Sequence, residues 1–350
     1  MLSAWHIDNS CICLGTHSLG VVVYCIDSHS CIHTHNVGSS VSLGQMAFRT
    51  SLLAYVGSGA QPSLTPRKLT IANTSDGSVL QDFNYTTRVL AVHISKQRLV
   101  AVLQSRAFVY ELHTLDLLRT IDTPANPLGT SCLSCSLEGG SLLALPIHPA
   151  CGTVRVYNLM KNGGDVLAEV AAHKTELAVL ALPQGTKAFT FRRGTYPAAI
   201  HDLAFSPEGH EPSLLCASSS HGTIHVFRLE DPSCTALVCG STHSRNPAAV
   251  AAASAANGIL SAVMQVSPMP DMVDPPRSIA NLKLPPSCQG APATCRVLPK
   301  AKRHGSCVEV IILVATLTGH LYEYKLLELQ NAEGPKCFLA AQWSMLPPKM

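Results

Sequence analysis

The chain has 350 residues, 47% hydrophobic and 13% charged, enough for one large core or two average ones. A net charge of only +3 excludes the dense basic face of a general nucleic-acid binder, so any anion recognition must be local. With 23 glycines and 23 prolines, many short elements joined by turns are expected in place of long helices.

In chain order, the opening stretch "MLSAWHIDNSCICLG" lacks the basic start and apolar run of a signal peptide. The 14 cysteines are irregularly spaced and read as reduced thiols of a cytosolic protein. Cys132 and Cys135 form a C-x-x-C with no second pair at zinc-ribbon spacing, and Cys25, Cys31, His33 and His35 read as loop and strand-edge residues. No metal or other cofactor is expected.

One pattern recurs: a glycine turn, then alternating apolar residues ending in an aromatic. It reads "SLGVVVYCID" at 18–27, "ACGTVRVYNL" at 150–159, "SHGTIHVFRL" at 220–229 and "LTGHLYEYKL" at 317–326; "SRAFVYELHTLD" at 105–116 is a variant without the glycine. Such alternation marks a strand with one buried face, and the glycine supplies the tight turn before it. Strand–turn–strand units recurring at about 40 residues predict propeller blades, with a β-sandwich of similar hairpins as the alternative. From Gly152 to Gly222 the spacing is too long for one blade and too short for two. Between them "AAHKTELAVLAL" reads as the opening strand of a fifth blade, but it runs directly into "PQGTKAFTFRRG" without the middle strands. The expectation is an all-β, WD40-like, seven-bladed propeller over residues 1–330 with its fifth blade cut short near 182–184. Residues 331–350 form a tail or a closing strand.

No stretch is long and apolar enough to span a membrane. "VEVIILVATL" (308–317) reads as a buried strand, and the uncharged run from Asn246 to Pro270 is alanine-rich and weakly apolar. No G-x-S-x-G elbow, H-E-x-x-H or P-loop is present, so an enzyme is not expected.

At "FRRGTYPAAIHDLAFSPEG" the chain resembles the PROPPIN family, seven-bladed propellers that bind phosphoinositides and include the WIPI-type autophagy proteins. The resemblance extends to "MAFRTSLLAYVGSG", "LCASSSHGTIHVF" and "PPRSIANLKLP", in family order, spanning roughly residues 5–328. Adjacent arginines leaving a strand point to opposite sides, and each guanidinium can grip a phosphate bidentately. Gly194 lets the chain turn without obstructing the phosphates.

The resemblance implies two headgroup sites. In the second, Arg193 matches the second arginine, Ser218 and Ser219 the serine pair, Thr223 and His225 the following T-x-H, with His201 a weaker candidate. Where family members often have Asp-Lys, this chain has Ser220 and His221. In the first site His173, Thr175 and Arg192 match, but the polar strand and K-G-T turn that complete it in the family are missing. The segment 231–274 corresponds to the family's membrane-dipping sixth-blade loop. There Ile259, Leu260, Val263, Met264 and Val266 could form an apolar patch after an N-cap at Asn246–Pro247; an alanine-rich soluble linker is the other reading.

By resemblance, the chain would be a monomeric, cytoplasmic effector and scaffold of autophagy. It would read phosphatidylinositol 3-phosphate or the 3,5-bisphosphate on pre-autophagosomal, endosomal or vacuolar membranes. A bridge-like lipid-transfer protein is a candidate partner through the early blades, where family members that bind such partners often carry Asn-x-Asp and this chain has His6 and Asp8. The alternative is a protein-binding propeller that has lost lipid recognition.

Overall fold

The structure, a computed structural model, describes residues 3–5, 10–48, 50–134, 141–148, 152–160, 164–171, 177–181, 186–192, 198–207, 210, 212–229, 277–288, 290–298, 302–304, 307–329 and 335–347. Its described elements are 27 strands and two short 3-10 turns, without an α-helix among them.

Successive antiparallel strands form each sheet. The first contains β1 (Ser3–Trp5), β2 (Cys11–Gly15), β3 (Val21–Cys25) and β4 (Ser30–His35). The second contains β5 (Val41–Met46), β6 (Leu52–Gly57), β7 (Lys68–Asn73) and β8 (Val79–Asn84). The third runs through β9 (Ala91–Ile94), β10 (Arg98–Val102), β11 (Arg106–Glu111) and β12 (Leu117–Asp122). The fourth runs through β13 (Cys132–Leu133), β14 (Leu142–Pro146), β15 (Thr153–Asn158) and β16 (Asp165–Ala171). A hairpin sheet of β17 (Leu177–Ala181) and β18 (Thr186–Phe191) follows. Then come β19 (Ile200–Phe205), β20 (Leu214–Ser219), β21 (Thr223–Arg228) and β22 (Ala280–Lys283). The last sheet holds β23 (Ala293–Val297), β24 (Lys302–His304), β25 (Cys307–Thr316), β26 (His320–Leu329) and β27 (Lys336–Ser344).

The molecule is an all-β propeller of six blades, not the expected seven: six sheets have four or five strands, and β17–β18 fall short of a blade. The segments with the repeated glycine–aromatic pattern become β3, β15, β21 and β26, and the variant becomes β11. Each is the third strand of its blade, counting along β23–β25–β26–β27 in the last. The inner strand β20 is fully buried, while the edge strand β4 alternates between exposed and half-buried residues. Gly20 shows why the turn residue is fixed: its φ is +76°, and a Cβ there would lie 2.2 Å from the His35 carbonyl oxygen.

The ring closes by packing between its ends. Trp5 and Ile12 from the first blade share a core with Leu313, Ala315 and Leu321 from the last. The Trp5 indole donates to Thr294 Oγ1 at 2.8 Å. First strands surround a central cavity of about 250 Å³ lined by Trp5, Gln45, His93, Asp202 and Arg296. Arg296 pairs with Asp202 at 2.9 Å and lies over the Trp5 ring. Burial raises the Asp202 carboxyl above its ordinary range, with Arg296 opposing it.

A candidate anion-binding site beside the hairpin sheet

Strand alternation gives β20 and β21 two different faces. Leu214, Cys216, Ile224 and Val226 face the last blade. Leu215, Ala217 and Phe227 face the hairpin sheet, where they pack with Leu177 and Phe191. Phe191 lies 4.8 Å from the Phe227 ring, which fixes the end of β18 against this blade. The next residue, Arg192, is exposed, and its backbone forms a parallel bridge with Arg277. Arg192 is thus held beside the segment leading into β22.

On the same face, Ser219 Oγ donates to the Thr223 carbonyl at 3.1 Å, and its oxygen lies 3.2 Å from Thr223 Oγ1. Thr223 Oγ1 is 3.2 Å from His225 Nε2, and His225 Nδ1 is 3.5 Å from Ser278 Oγ. Ser278 donates its hydrogen to Asn281 Oδ1 at 2.8 Å. Ser278 therefore accepts from His225 Nδ1–H, and the neutral ring's Nε2 accepts from the Thr223 hydroxyl. The register sets Lys283 directly across from Thr223 and Asn281 across from His225. Directly opposed residues share a face, so the exposed Lys283 places a fixed positive charge beside the hydroxyls.

The expected serine pair divides between the two faces. Ser218 is 1% exposed and donates to the Ala293 carbonyl at 2.6 Å, so its hydroxyl ties this blade to the last one and is separated from Thr223 and His225. Ser219 has a structural share too, because the same turn-holding bond recurs at Thr16 and Thr316 in blades without an expected site. His201 is the extra residue of a bulge between Ile200 and Asp202, and its Nε2 is buried without a partner among the described residues. Arg193 and Gly194, the first-site residues His173 and Thr175, the loop residues Ile259, Leu260, Val263, Met264 and Val266, and His6 and Asp8 lie outside the described residues.

Sequence reasoning missed Arg277, Ser278 and Lys283. All three lie in "PPRSIANLKLP", which was quoted as family-like without a role. Their signal was the alternation of β22, whose pattern of buried Ala280 and Leu282 puts Asn281 and Lys283 on the other face. Cys31 and His33 lie on the edge strand β4, and His35 ends it. His33 stacks on His35, Cys31 Sγ donates to the His33 carbonyl, and no cluster of three metal-ligating side chains occurs among the described residues.

The PROPPIN family profile matches residues 1–181 and 152–346, so nearly the whole chain is covered. The chain belongs to the PROPPIN family. It is 42% identical to Autophagy-related protein 18b of Arabidopsis thaliana over 207 residues, covering 53% of this chain and 56% of that protein. It is 30% identical to Autophagy-related protein 18 of Yarrowia lipolytica over 396 residues, covering 97% and 94%. Its fold is similar to that of Kluyveromyces lactis Hsv2, with a TM-score of 0.66, 15% identity and 98% of both chains covered. It is also similar to that of KlAtg21 solved with the coiled coil of AgAtg16, with a TM-score of 0.63, 19% identity and 98% of both chains covered. In this PROPPIN, Arg192 directly follows β18, in a described sheet of two strands.

Proposed function

We propose that this PROPPIN is a non-enzymatic scaffold of autophagy that binds phosphoinositide headgroups at the face shared by β20, β21 and β22. One observation supports the reading: Thr223, His225 and Lys283 share a face, and the Arg192–Arg277 bridge sets Arg192 beside the segment leading into its third strand. The Lys283 ammonium, with hydroxyl and imidazole groups beside it, suits a phosphomonoester, for which Arg193 would be the bidentate partner. Phosphatidylinositol 3-phosphate and the 3,5-bisphosphate are the ligands in view. The first site, with His173, Thr175 and Arg192, would contribute less, a reading supported by the two-stranded sheet of β17 and β18 among the described residues.

The loop at 231–274 would add shallow insertion of its apolar residues, so a modest headgroup contact and a hydrophobic one act together on one membrane. No helix among the described residues is long and apolar enough to cross a bilayer, which accords with peripheral attachment. The chain would work in the cytoplasm on pre-autophagosomal, endosomal or vacuolar membranes. Its protein partner would be a bridge-like lipid-transfer protein or a coiled coil of the kind bound to KlAtg21.

Flotation of the purified chain with phosphatidylcholine vesicles, with and without 3-phosphoinositide, tests the reading. Flotation that requires the phosphoinositide supports it. Absence of flotation from both would favour the second reading, a propeller scaffold without lipid recognition, which the two-stranded sheet makes specific.

A further inference from the structure

Three cysteines share one face of the first blade. Cys11 and Cys13 on β2 and Cys25 on β3 lie in the cluster joining this blade to the second, among Val23, Val41, Leu53 and Tyr55. The β2–β3 register sets Cys11 directly opposite Cys25. Opposed residues in an antiparallel pair are alternately hydrogen-bonded and non-hydrogen-bonded. Ile26 N donates to Ser10 O at 2.9 Å and Thr16 N to Gly20 O at 2.8 Å, so those two pairs are hydrogen-bonded. Counting along the ladder makes Cys11 and Cys25 a non-hydrogen-bonded pair. Such pairs have Cα atoms about 4.5 Å apart and side chains at their closest, inside the roughly 4.4–6.8 Å window of a disulfide.

We propose that Cys11 and Cys25 form a hydroperoxide-responsive dithiol that closes reversibly to a cross-strand disulfide. The two positions divide the chemistry. Cys25, partly exposed at the end of β3, is the attacking sulfur; Cys11, 3% exposed, is the resolving one. Burial pushes the Cys25 thiol up, but hydrogen bonds from the Ser28 hydroxyl and the Ser28 and Asp27 amides outweigh it and bring it below the ordinary value.

The other thiols are poorly placed. Cys13 opposes Val23 and is fully buried, its thiol pushed up to about 12. Cys31 packs on the opposite face of the sheet, with Trp5, Ile12 and Leu14.

In the first step the Cys25 thiolate attacks one peroxide oxygen: an S–O bond forms, the O–O bond breaks, and hydroxide leaves to take up the thiol's proton. In the second, Cys11 attacks the Cys25 sulfenic acid: the S–S bond forms, the S–O bond breaks, and the hydroxyl leaves as water with the Cys11 proton. Two thiols and one hydrogen peroxide give one disulfide and two waters. Thiol–disulfide exchange with a dithiol reductant restores the pair.

The test is treatment of the whole folded chain with one equivalent of hydrogen peroxide, alkylation of the remaining thiols and non-reducing peptide mapping. Chymotrypsin is required, because no Lys or Arg precedes Arg49. The expected result is loss of two of the fourteen thiols, a peptide pair joined through Cys11 and Cys25, and full reversal by dithiothreitol. Cys25→Ser should leave Cys11 unoxidised, while Cys31→Ser should leave the cross-link intact. Cys25 halting at sulfinic acid with Cys11 free, a bridge to Cys13 or Cys31, or equal Cys11 oxidation in Cys25→Ser would overturn the proposal.

Discussion

Thr223 has one hydroxyl hydrogen, and its allocation sets what the site offers an anion. With a neutral His225, that hydrogen goes to Nε2 and the hydroxyl presents only lone pairs outward. Protonating the ring turns Nε2 into a donor, so Thr223 becomes the acceptor and its hydrogen is released toward a ligand oxygen. Thr223→Val should weaken vesicle binding; unchanged binding by this variant would show that the hydroxyl takes no part in the site. His93 makes a separate prediction about stability. Ser131 Oγ donates to the Gly129 carbonyl, so it accepts from His93 Nε2–H. Burial pushes this imidazole down from 6.5 to about 4. The unfolded chain then takes up the proton first, so stability is full above about 6.5, falls as pH drops toward 4 and levels below. At about 1.36 kcal/mol per pH unit the loss reaches up to about 3 kcal/mol. His93→Gln, which keeps a donor to Ser131, should remove that part of the acid sensitivity in urea melts at pH 7 and pH 5; equal losses would show that His93 is not the cause. At this scale the sequence was half legible. Thr223 and His225, two apart on one strand, were bound to share a face, and by the same alternation Ser218 and Ser219 could not. Lys283 was hidden because which strand lies opposite Thr223 is settled only by pairing across the long loop.

The hairpin sheet is the element that departs most from its neighbours. β17 and β18 pack on β20 and β21 through Leu177, Phe191 and Phe227, leaving the first strand of that blade, β19, less covered. Leu203 is 48% and Phe205 55% exposed, although they lie on the strand position that elsewhere lines the ring's interior. Large apolar side chains in this setting mark an uncovered face and an aggregation hazard. Leu203→Thr with Phe205→Thr should reduce dye binding to exposed apolar surface while shifting the melting temperature by less than about 2 °C. A large fall in melting temperature would mean that the two residues are core. The spacing of Gly152 and Gly222 signalled a departure from the regular repeat, and the described sheet in that span has two strands. Where the surviving pair would settle was not legible, since that follows from which neighbouring face offers more apolar contact. The loop at 231–274 makes its own prediction. Replacing Ile259, Leu260 and Met264 with Ser should weaken vesicle binding roughly tenfold, about 1.4 kcal/mol of shallow burial, and leave the ranking of lipids unchanged. A loss of affinity for the soluble headgroup would place the loop in the pocket instead.

Across the whole molecule, stability rests on each sheet covering the next, with Trp5 and Thr294 joining the ends. A two-stranded sheet covers less, and contacts missing from two facing blades cost several kcal/mol against a typical total of about 5–15. Inserting about 25 residues of a family blade hairpin between Leu182 and Gln184 should raise the melting temperature by several degrees. An unchanged melt would mean that the ring closes as well with two strands there. The central claim concerns binding, and it is tested most directly by comparing Arg193→Ala with Arg192→Ala in flotation on vesicles carrying phosphatidylinositol 3-phosphate. The account predicts that Arg193→Ala abolishes most of the binding, because the residues proposed to share its phosphate, Thr223, His225 and Lys283, lie on one face, and that Arg192→Ala has a smaller effect. Equal losses from both, or full binding by Arg193→Ala, would contradict it.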